Sequence, residues 1–181
     1  MLILASQSPR RKELLHKLVD DFLIIPANVD EHVKVDDVTD LPLEASKLKA
    51  RAIKKLHPEA DVIGSDTVVI IDGEILGKPH TEQEAFDMLK KLSGKKHIVV
   101  SGYCYIKGDK EIANKVITEV YFNELSDDLI KRYISTGSPM DKAGAYGIQD
   151  KEFDLVYRIK GSLDNVIGLP TEDIYEKCFK D

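Results

Sequence analysis

The sequence predicts an α/β fold built on a mixed β-sheet. In the first half of the chain, short apolar runs typical of strands alternate with helix signals, as they do around parallel strands. In the second half, two long β-prone segments, residues 97–107 and 111–123, are joined only at Gly108-Asp109 and should pair antiparallel. Because these segments interrupt the alternation of strands and helices, we expect parallel and antiparallel strands in one sheet.

Local signals place the elements of the first sixty residues. Residues 2–5 and 22–26 are short apolar strands, and a helix signal follows the first of them directly. Residues 43–57 have helical periodicity that ends before Pro58. The buried stripe of this helix is expected to consist of Leu43, Leu48, Ala52, Ile53 and Leu56.

Turn and capping signals place the remaining elements. An Asp-Gly turn predicts a hairpin, and Thr81 and Ser126 are suited to cap the helices that follow them. The last helix is expected to begin with proline, which is favoured at the first helical position. The expected ranges are 62–71, 74–76 and 153–159 for strands, and 81–94, 126–135 and 170–179 for helices.

The charge balance narrows the classes of function. The chain has 181 residues, with 26 Lys and Arg against 32 Asp and Glu, which gives a formal net charge of −6. Such a chain is a poor candidate for binding a nucleic-acid polymer, which requires many cations against the phosphates. It can still bind a small anion in a local basic pocket.

Membrane and disulfide signals are missing from the sequence. No apolar run approaches the length of a bilayer span, and the opening residues lack the features of a signal peptide. Cys104 and Cys178 are far apart and form no metal-ligand spacing. We therefore expect reduced thiols in a cytoplasmic protein.

The motif S-Q-S-P-R-R at residues 6–11 is the first candidate for chemistry. Ser8 is a natural N-cap, so Arg10 and Arg11 should lie in the first helical turn. A cation at this end interacts unfavourably with the helix dipole and destabilises the helix by about 0.3–1 kcal/mol. A bound anion would offset this cost through the two guanidinium groups and the hydroxyls of Ser6 and Ser8. The alternative is a pair of arginines whose stems lie along the protein surface.

Asp66 is the second candidate, because it interrupts a β-branched run that otherwise reads as a buried strand. A buried carboxylate must be paired, bound to a metal or shifted in pKa, and these are the conditions for a general base or a metal ligand. The alternative is an Asp in a bulge or turn at Gly64.

Three further charged residues are weaker candidates. Lys78, in the motif G-K-P, is placed to contact a phosphate, and Lys49 lies on the second helix; a solvated lysine is the commoner explanation for each. Glu31 is a candidate second carboxylate for a metal, although acidic loops are common.

The motif D-K-A-G-A-Y-G-I-Q at residues 141–149 combines small residues with an amide. Its glycines leave room for close approach of a ligand, and Gln149 offers a donor and an acceptor to a planar base edge. A tight turn between lobes is the alternative. The motif G-S-L-D-N-V-I-G-L-P at residues 161–170 has no role that the residues themselves predict.

Together these motifs, with K-A-R at residues 49–51 and G-S-D-T at residues 64–67, resemble the Maf family of nucleoside triphosphate pyrophosphatases over nearly the whole chain. The resemblance implies a single domain, residues 1–181, with two α/β lobes about an elongated mixed sheet flanked by helices. This fold is similar to that of inosine triphosphate pyrophosphatases, with a cleft between the lobes. The implied reaction is cleavage between the α and β phosphates, aided by a divalent cation.

Residue by residue, the resemblance makes Asp66 the proton acceptor. Arg10, Thr67 and Gln149 match the branch that prefers dTTP and UTP to 7-methyl-GTP. The one departure is the charged stretch at residues 150–152, where the family usually continues with glycines.

The mechanistic hypothesis combines the two lines of reasoning. Mg²⁺ or Mn²⁺ would be held by Asp66 and Glu31, and charge on the triphosphate would be neutralised by the cations Arg10, Arg11, Lys49 and Lys78. The alternatives are a non-catalytic nucleotide-binding regulator of septum formation and, less favoured, an RNA-binding module. A homodimer is expected.

Overall fold

The computed structural model describes residues 1–30 and 32–181, and within this part of the chain the strands form one seven-stranded sheet. Glu31, predicted as a metal ligand, lies outside the described residues. The strands are β1 Leu2–Leu4, β2 Leu23–Ile24, β3 Asp61–Ile71, β4 Glu74–Leu76, β5 Lys96–Lys107, β6 Lys110–Phe122 and β7 Val156–Lys160. The helices are α1 Pro9–Leu15, α2 Leu41–Leu56, α3 Glu82–Leu92, α4 Asp127–Ser135, α5 Leu163–Ile167 and α6 Thr171–Ile174.

The sheet contains both strand directions, as the sequence predicts. Its order is β2-β1-β3-β5-β6-β7, with β4 paired to β3. β1 runs parallel to β2 and to β3, whereas β4 and β7 run antiparallel to their partners. β5 and β6 are neighbours joined by only two residues, a connection that antiparallel strands alone permit. The predicted mixed α/β class is therefore confirmed.

The chain divides into two compact units, and each unit is assembled from separate segments. The first unit consists of Met1–Thr67, Val100–Val116 and Asp164–Asp181, and the second of Val68–Val99 and Ile117–Leu163. Because the boundaries fall within β3, β5 and β6, these three strands contribute residues to both units. In the described part of the chain, no helix has the length and apolar character that crossing a membrane requires.

In the first unit the sheet is buried on both faces. Leu4 packs in one apolar cluster with Leu15 and Leu169, while its neighbour Ile3 packs in another with Ile53. Successive side chains of a strand point to opposite faces, so α1 and the C-terminal segment cover one face and α2 covers the other. This two-sided burial explains why β1 reads as a continuous apolar run.

Of the predicted buried stripe of α2, only Ile53 is fully buried, whereas Leu43, Leu48 and Ala52 are half-buried and the prediction was wrong at Leu56. The helix buries a different set of side chains, and Leu56 is 71% exposed. The cause is a close approach to β3, because a Cβ added to Gly64 would lie 2.7 Å from the Ser46 carbonyl oxygen. Only small side chains fit at this distance. The buried residues are Pro42, Ala45, Ser46, Ala50 and Ile53.

Gly102, on β5, makes a second close contact with this helix. A Cβ at this position would lie 2.4 Å from both the Cα and the nitrogen of Leu43. We expect Gly102→Ala to lower the free energy of unfolding by about 2–3 kcal/mol, because backbone atoms must shift to relieve the overlap. Urea unfolding would measure this loss. Gly77→Ala is the matched control, since an added Cβ there meets no atom within 4 Å, and equal losses in the two variants would contradict the prediction.

In the second unit the predicted caps and hairpin are confirmed. Thr81 Oγ1 accepts a hydrogen bond from the Glu84 N–H at 3.1 Å, and Ser126 Oγ accepts one from the Leu129 N–H at 3.1 Å. The turn between β3 and β4 has positive φ at both Asp72 and Gly73, as a two-residue hairpin of type I′ requires.

The C-terminal third departs from the predicted ranges. Residues 151–153 form a 3₁₀ turn, and the strand begins only at Val156, because Asp154 adopts the left-handed conformation with φ of 50°. α5 was not predicted, and α6 continues into a π-helical turn at Tyr175–Phe179.

His97 is a buried, uncharged histidine in the second unit. Its side chain is almost fully enclosed, with Nε2 2.7 Å from the Tyr146 hydroxyl, and Nδ1 has no hydrogen-bond partner among the described residues. Burial lowers the pKa of His97 from 6.5 to about 4. Protonation in the folded state is therefore disfavoured throughout the mildly acidic range.

The low pKa of His97 predicts a pH-dependent loss of stability. Above pH 6.5 the group is neutral in both states, but between pH 6.5 and about 4 the unfolded chain binds a proton that the folded chain does not. Between about pH 7 and about pH 4.5, this uptake should lower the free energy of unfolding by about 2–3 kcal/mol. Denaturant unfolding of the wild type and of His97→Gln would isolate this contribution. Identical pH dependence in the two proteins would count against it.

Candidate active site

The loop between β1 and α1 is organised by two serines. Ser8 is the N-cap predicted from the sequence, and its Oγ accepts a hydrogen bond from the Arg11 N–H at 3.2 Å. The N–H of Ser8 in turn donates to Ser6 Oγ at 3.2 Å. Because each oxygen accepts an N–H from the loop, each hydroxyl proton is directed away from these donors and is suited to a ligand oxygen.

Arg11 is anchored inside the first unit rather than extended along its surface. Nε donates to the Gly168 carbonyl oxygen at 2.8 Å, Nη1 to Ser6 Oγ at 3.3 Å and Nη2 to Thr67 Oγ1 at 3.0 Å. Three protein acceptors therefore fix the plane of the guanidinium. Arg10 lies in the same helical turn and is half-buried.

Asp66 and Lys49 form an ion pair on the other face of β3. Lys49 Nζ lies 3.3 Å from Asp66 Oδ1, and the two side chains are only 13% and 20% exposed. Nζ also donates to the Ser65 carbonyl oxygen at 3.3 Å. Lys49 is therefore not a solvated helix lysine, and Asp66 lies in a continuous strand rather than in a bulge at Gly64. The ammonium offsets the cost of withdrawing the carboxylate from water.

Strand alternation separates the Asp66–Lys49 ion pair from the anchored Arg11 guanidinium. Asp66 faces α2, whereas Ser65 and Thr67 face the Gly168 turn and α1. Arg11 and Lys49, two of the cations predicted to neutralise a triphosphate, are consequently anchored on opposite faces of β3. The carboxyl ends of parallel strands are the usual position of ligand sites in α/β proteins, and β1 ends beside this part of β3.

Lys78 and Gln149 belong to the second unit, where their segments are linked. Lys78 is exposed and directly follows Gly77, whose carbonyl oxygen accepts a hydrogen bond from the Gly144 N–H at 3.1 Å. A Cβ on Gly144 would lie 3.0 Å from the Val69 side chain, so the loop packs tightly on β3. The motif at residues 141–149 thus meets the motif at residues 77–79.

The segment that carries Gln149 is held on both sides of that exposed residue. Tyr133 OH accepts a hydrogen bond from the Gly147 N–H at 2.9 Å and donates to Asp150 Oδ2 at 2.6 Å. Ser138 Oγ donates to the same carboxylate oxygen at 2.6 Å. Asp150 begins the charged stretch that departs from the usual glycine-rich continuation, and its carboxylate here ties down the turn.

Comparison with known proteins gives the family. A family model described as "Maf-like protein" matches residues 1–179. The chain belongs to the Maf family. Curated relatives named "dTTP/UTP pyrophosphatase" also match most of the chain. That of Thermococcus kodakarensis is 51% identical over 177 residues, which cover 97% of this chain and 94% of the relative. That of Symbiobacterium thermophilum is 46% identical over 170 residues, which cover 93% and 88%.

Solved structures support the fold of this Maf chain. The Staphylococcus aureus Ham1 protein aligns with a TM-score of 0.52 at 15% sequence identity, and the alignment covers 85% of this chain and 90% of Ham1. At this identity the likeness concerns the fold alone.

Sequence reasoning missed two contributors to the site of this Maf chain. Ser101 lies on β5, and its hydroxyl is 2.8 Å from Thr67 Oγ1. Gly168 contributes only a carbonyl oxygen, which every residue carries, so no side-chain pattern could identify it. The available signal was the motif at residues 161–170, which matches the family although its residues alone predict no chemical role.

Proposed function

We propose that this chain hydrolyses dTTP and UTP, including modified pyrimidine nucleotides, to the nucleoside monophosphate and pyrophosphate. The observation that carries the proposal is the Asp66 carboxylate, which lies within a strand beside the Lys49 ammonium. A site that only binds a triphosphate would gain nothing from a carboxylate, because it repels the phosphates. The names of the curated relatives support the same reaction. Such an enzyme would remove these nucleotides from the cellular pool.

In the proposed mechanism Asp66 accepts the proton of the attacking water. Arg10, Arg11, Lys49 and Lys78 offset the charge of the triphosphate and of the departing pyrophosphate. Ser6 and Ser8 donate their hydroxyl protons to phosphate oxygens.

Gln149 contributes to the choice of base through its side-chain amide. Gln149 can accept from the N3–H of thymine or uracil and donate to O4. A flipped amide would also satisfy cytosine, so rejection of CTP needs a further contribution.

A divalent cation, Mg²⁺ or Mn²⁺, is part of the proposal. Mg²⁺ is usually bound through one or two carboxylates together with substrate phosphates, and the partly exposed Asp66 carboxylate offers such a ligand. Within the described residues, no group of three or more His, Cys, Asp or Glu side chains is arranged to hold a metal. The remaining ligands would therefore come from the substrate, water and Glu31. When bound, the cation would polarise the phosphoryl group and lower the pKa of an attacking water.

The test is a panel of nucleotides with identification of the products. Pyrophosphate and dTMP should form from dTTP, and the same products should form with UMP from UTP. Turnover should stop with EDTA and return with Mg²⁺ or Mn²⁺. Orthophosphate as the first product, or consumption of 7-methyl-GTP alone, would overturn the proposal, and tight binding without turnover would favour a regulator. Light scattering on the same sample would test the expected homodimer.

A further inference from the structure

The hydroxyl of Thr67 takes part in a chain of hydrogen bonds whose direction can be assigned. Ser101 Oγ lies 3.0 Å from the Asn165 carbonyl oxygen, which can only accept, so the single Ser101 proton is directed there. Thr67 Oγ1 lies 2.8 Å from Ser101 Oγ and 3.3 Å from the Gly168 carbonyl oxygen. In either arrangement the Thr67 proton is used inside the first unit.

The consequence is that Thr67 presents only a lone pair to its remaining neighbour. That neighbour is Arg11, whose Nη2 donates to Thr67 Oγ1 at 3.0 Å. A hydroxyl whose proton is already committed is poorly suited to donate to a nucleobase. It is well suited to hold a guanidinium in one orientation.

The turn that supplies the carbonyl oxygens is itself firmly held. The N–H groups of Gly168 and Leu169 both donate to the Asp164 carbonyl oxygen at 3.0 Å. The Asp164 side chain accepts hydrogen bonds from the Thr171 hydroxyl and from Lys17 Nζ. This turn lies in the motif at residues 161–170, for which the residues alone predict no role.

We propose that Thr67, Ser101 and the Gly168 turn position the Arg11 guanidinium for the phosphates of the substrate. Thr67 is then a positioning residue that acts through Arg11, not a contact to the base. This inference rests on the proposed function for the identity of the substrate. Its physical basis is preorganisation, because a guanidinium that is already fixed loses less freedom when it binds an anion.

Two variants of Thr67 separate the hydroxyl from the shape of the side chain. Thr67→Val removes the acceptor of Arg11 at nearly constant volume, whereas Thr67→Ser retains it. We expect Thr67→Val to weaken binding of inorganic tripolyphosphate about tenfold, because a hydrogen bond to a charged group is lost. Thr67→Ser should stay near the wild type. Thr39→Val is the control, since its hydroxyl contacts Asp37 and Lys115 in the same unit, outside the site.

A double-mutant cycle with Arg11→Met decides the question. Calorimetry with inorganic tripolyphosphate and the KM for dTTP should both show that Thr67→Val has no further effect once Arg11 is replaced. An undiminished effect of Thr67→Val in the Arg11→Met background would overturn the inference, even where dTTP is cleaved to pyrophosphate. Coupled binding of tripolyphosphate in a protein that releases no pyrophosphate from dTTP would instead retain the inference and overturn the proposed function.

Discussion

Asp66→Asn is expected to lower kcat for dTTP by about 10²- to 10⁴-fold, because a neutral amide cannot accept the proton of the attacking water. The side chain keeps its size, and Lys49 Nζ, 3.3 Å from Oδ1, can still donate to the amide oxygen. The folded structure should therefore survive with a cooperative thermal transition. Release of pyrophosphate under substrate saturation gives the rate.

Asp61→Asn is the matched control for this variant. Asp61 begins the same strand, and its carboxylate lies 3.5 Å from the Tyr105 hydroxyl, away from Lys49. Its replacement should leave kcat close to the wild-type value. A kcat of Asp66→Asn within tenfold of the wild type would rule out Asp66 as the general base, because removing a base costs about 10² or more.

Lys49→Met is expected to lower kcat/KM by about 10²- to 10³-fold, as the loss of a preorganised cation beside developing charge does in other enzymes. The Lys49 side chain is 13% exposed, and its ammonium donates to both the Asp66 carboxylate and the Ser65 carbonyl oxygen. Its removal takes the paired ammonium away from the Asp66 carboxylate and leaves one positive charge fewer to offset the charge of the triphosphate. Steady-state kinetics with dTTP and UTP measure the loss.

Arg51→Met tests whether any cation on α2 has this effect. Arg51 lies two residues further along the helix, where its side chain is 54% exposed and its guanidinium pairs with Glu111. We expect its kcat/KM to remain within a factor of about three, since exposed ion pairs contribute little. Comparable losses of kcat/KM in the two variants would show that the loss reflects the overall charge of α2 and not the position of Lys49.

Local signals predicted the parts of the fold that depend on neighbours in sequence. Ser8, Thr81 and Ser126 cap their helices because each oxygen reaches an N–H three residues away. The buried face of α2 departs from the predicted stripe because it depends on the close approach of Gly64, which lies in another element. Hydrophobicity favoured Leu56, but close packing selected Ala50.

The candidate site was predictable where a residue type conflicts with its surroundings. Asp66 stands out because a carboxylate in a β-branched run needs an explanation. Lys49 was a candidate cation, but its pairing with Asp66 could not be predicted, since a lysine on a helix is usually solvated. The anchor of Arg11 was even less accessible, because it is a backbone oxygen of Gly168, 157 positions along the chain.

That long separation has a consequence for the order in which the molecule is synthesised. All residues of the second unit have left the ribosomal peptidyl centre once Leu163 is added, whereas the first unit still lacks Asp164–Asp181. The arginine at position 11 is made among the first residues, yet its carbonyl acceptor is made near the last. Nascent chains that stop before Gly168 contain every side chain assigned to the substrate but lack one of the three acceptors of that guanidinium. Translation as far as Gly168 is therefore required before the anchor of Arg11 is complete.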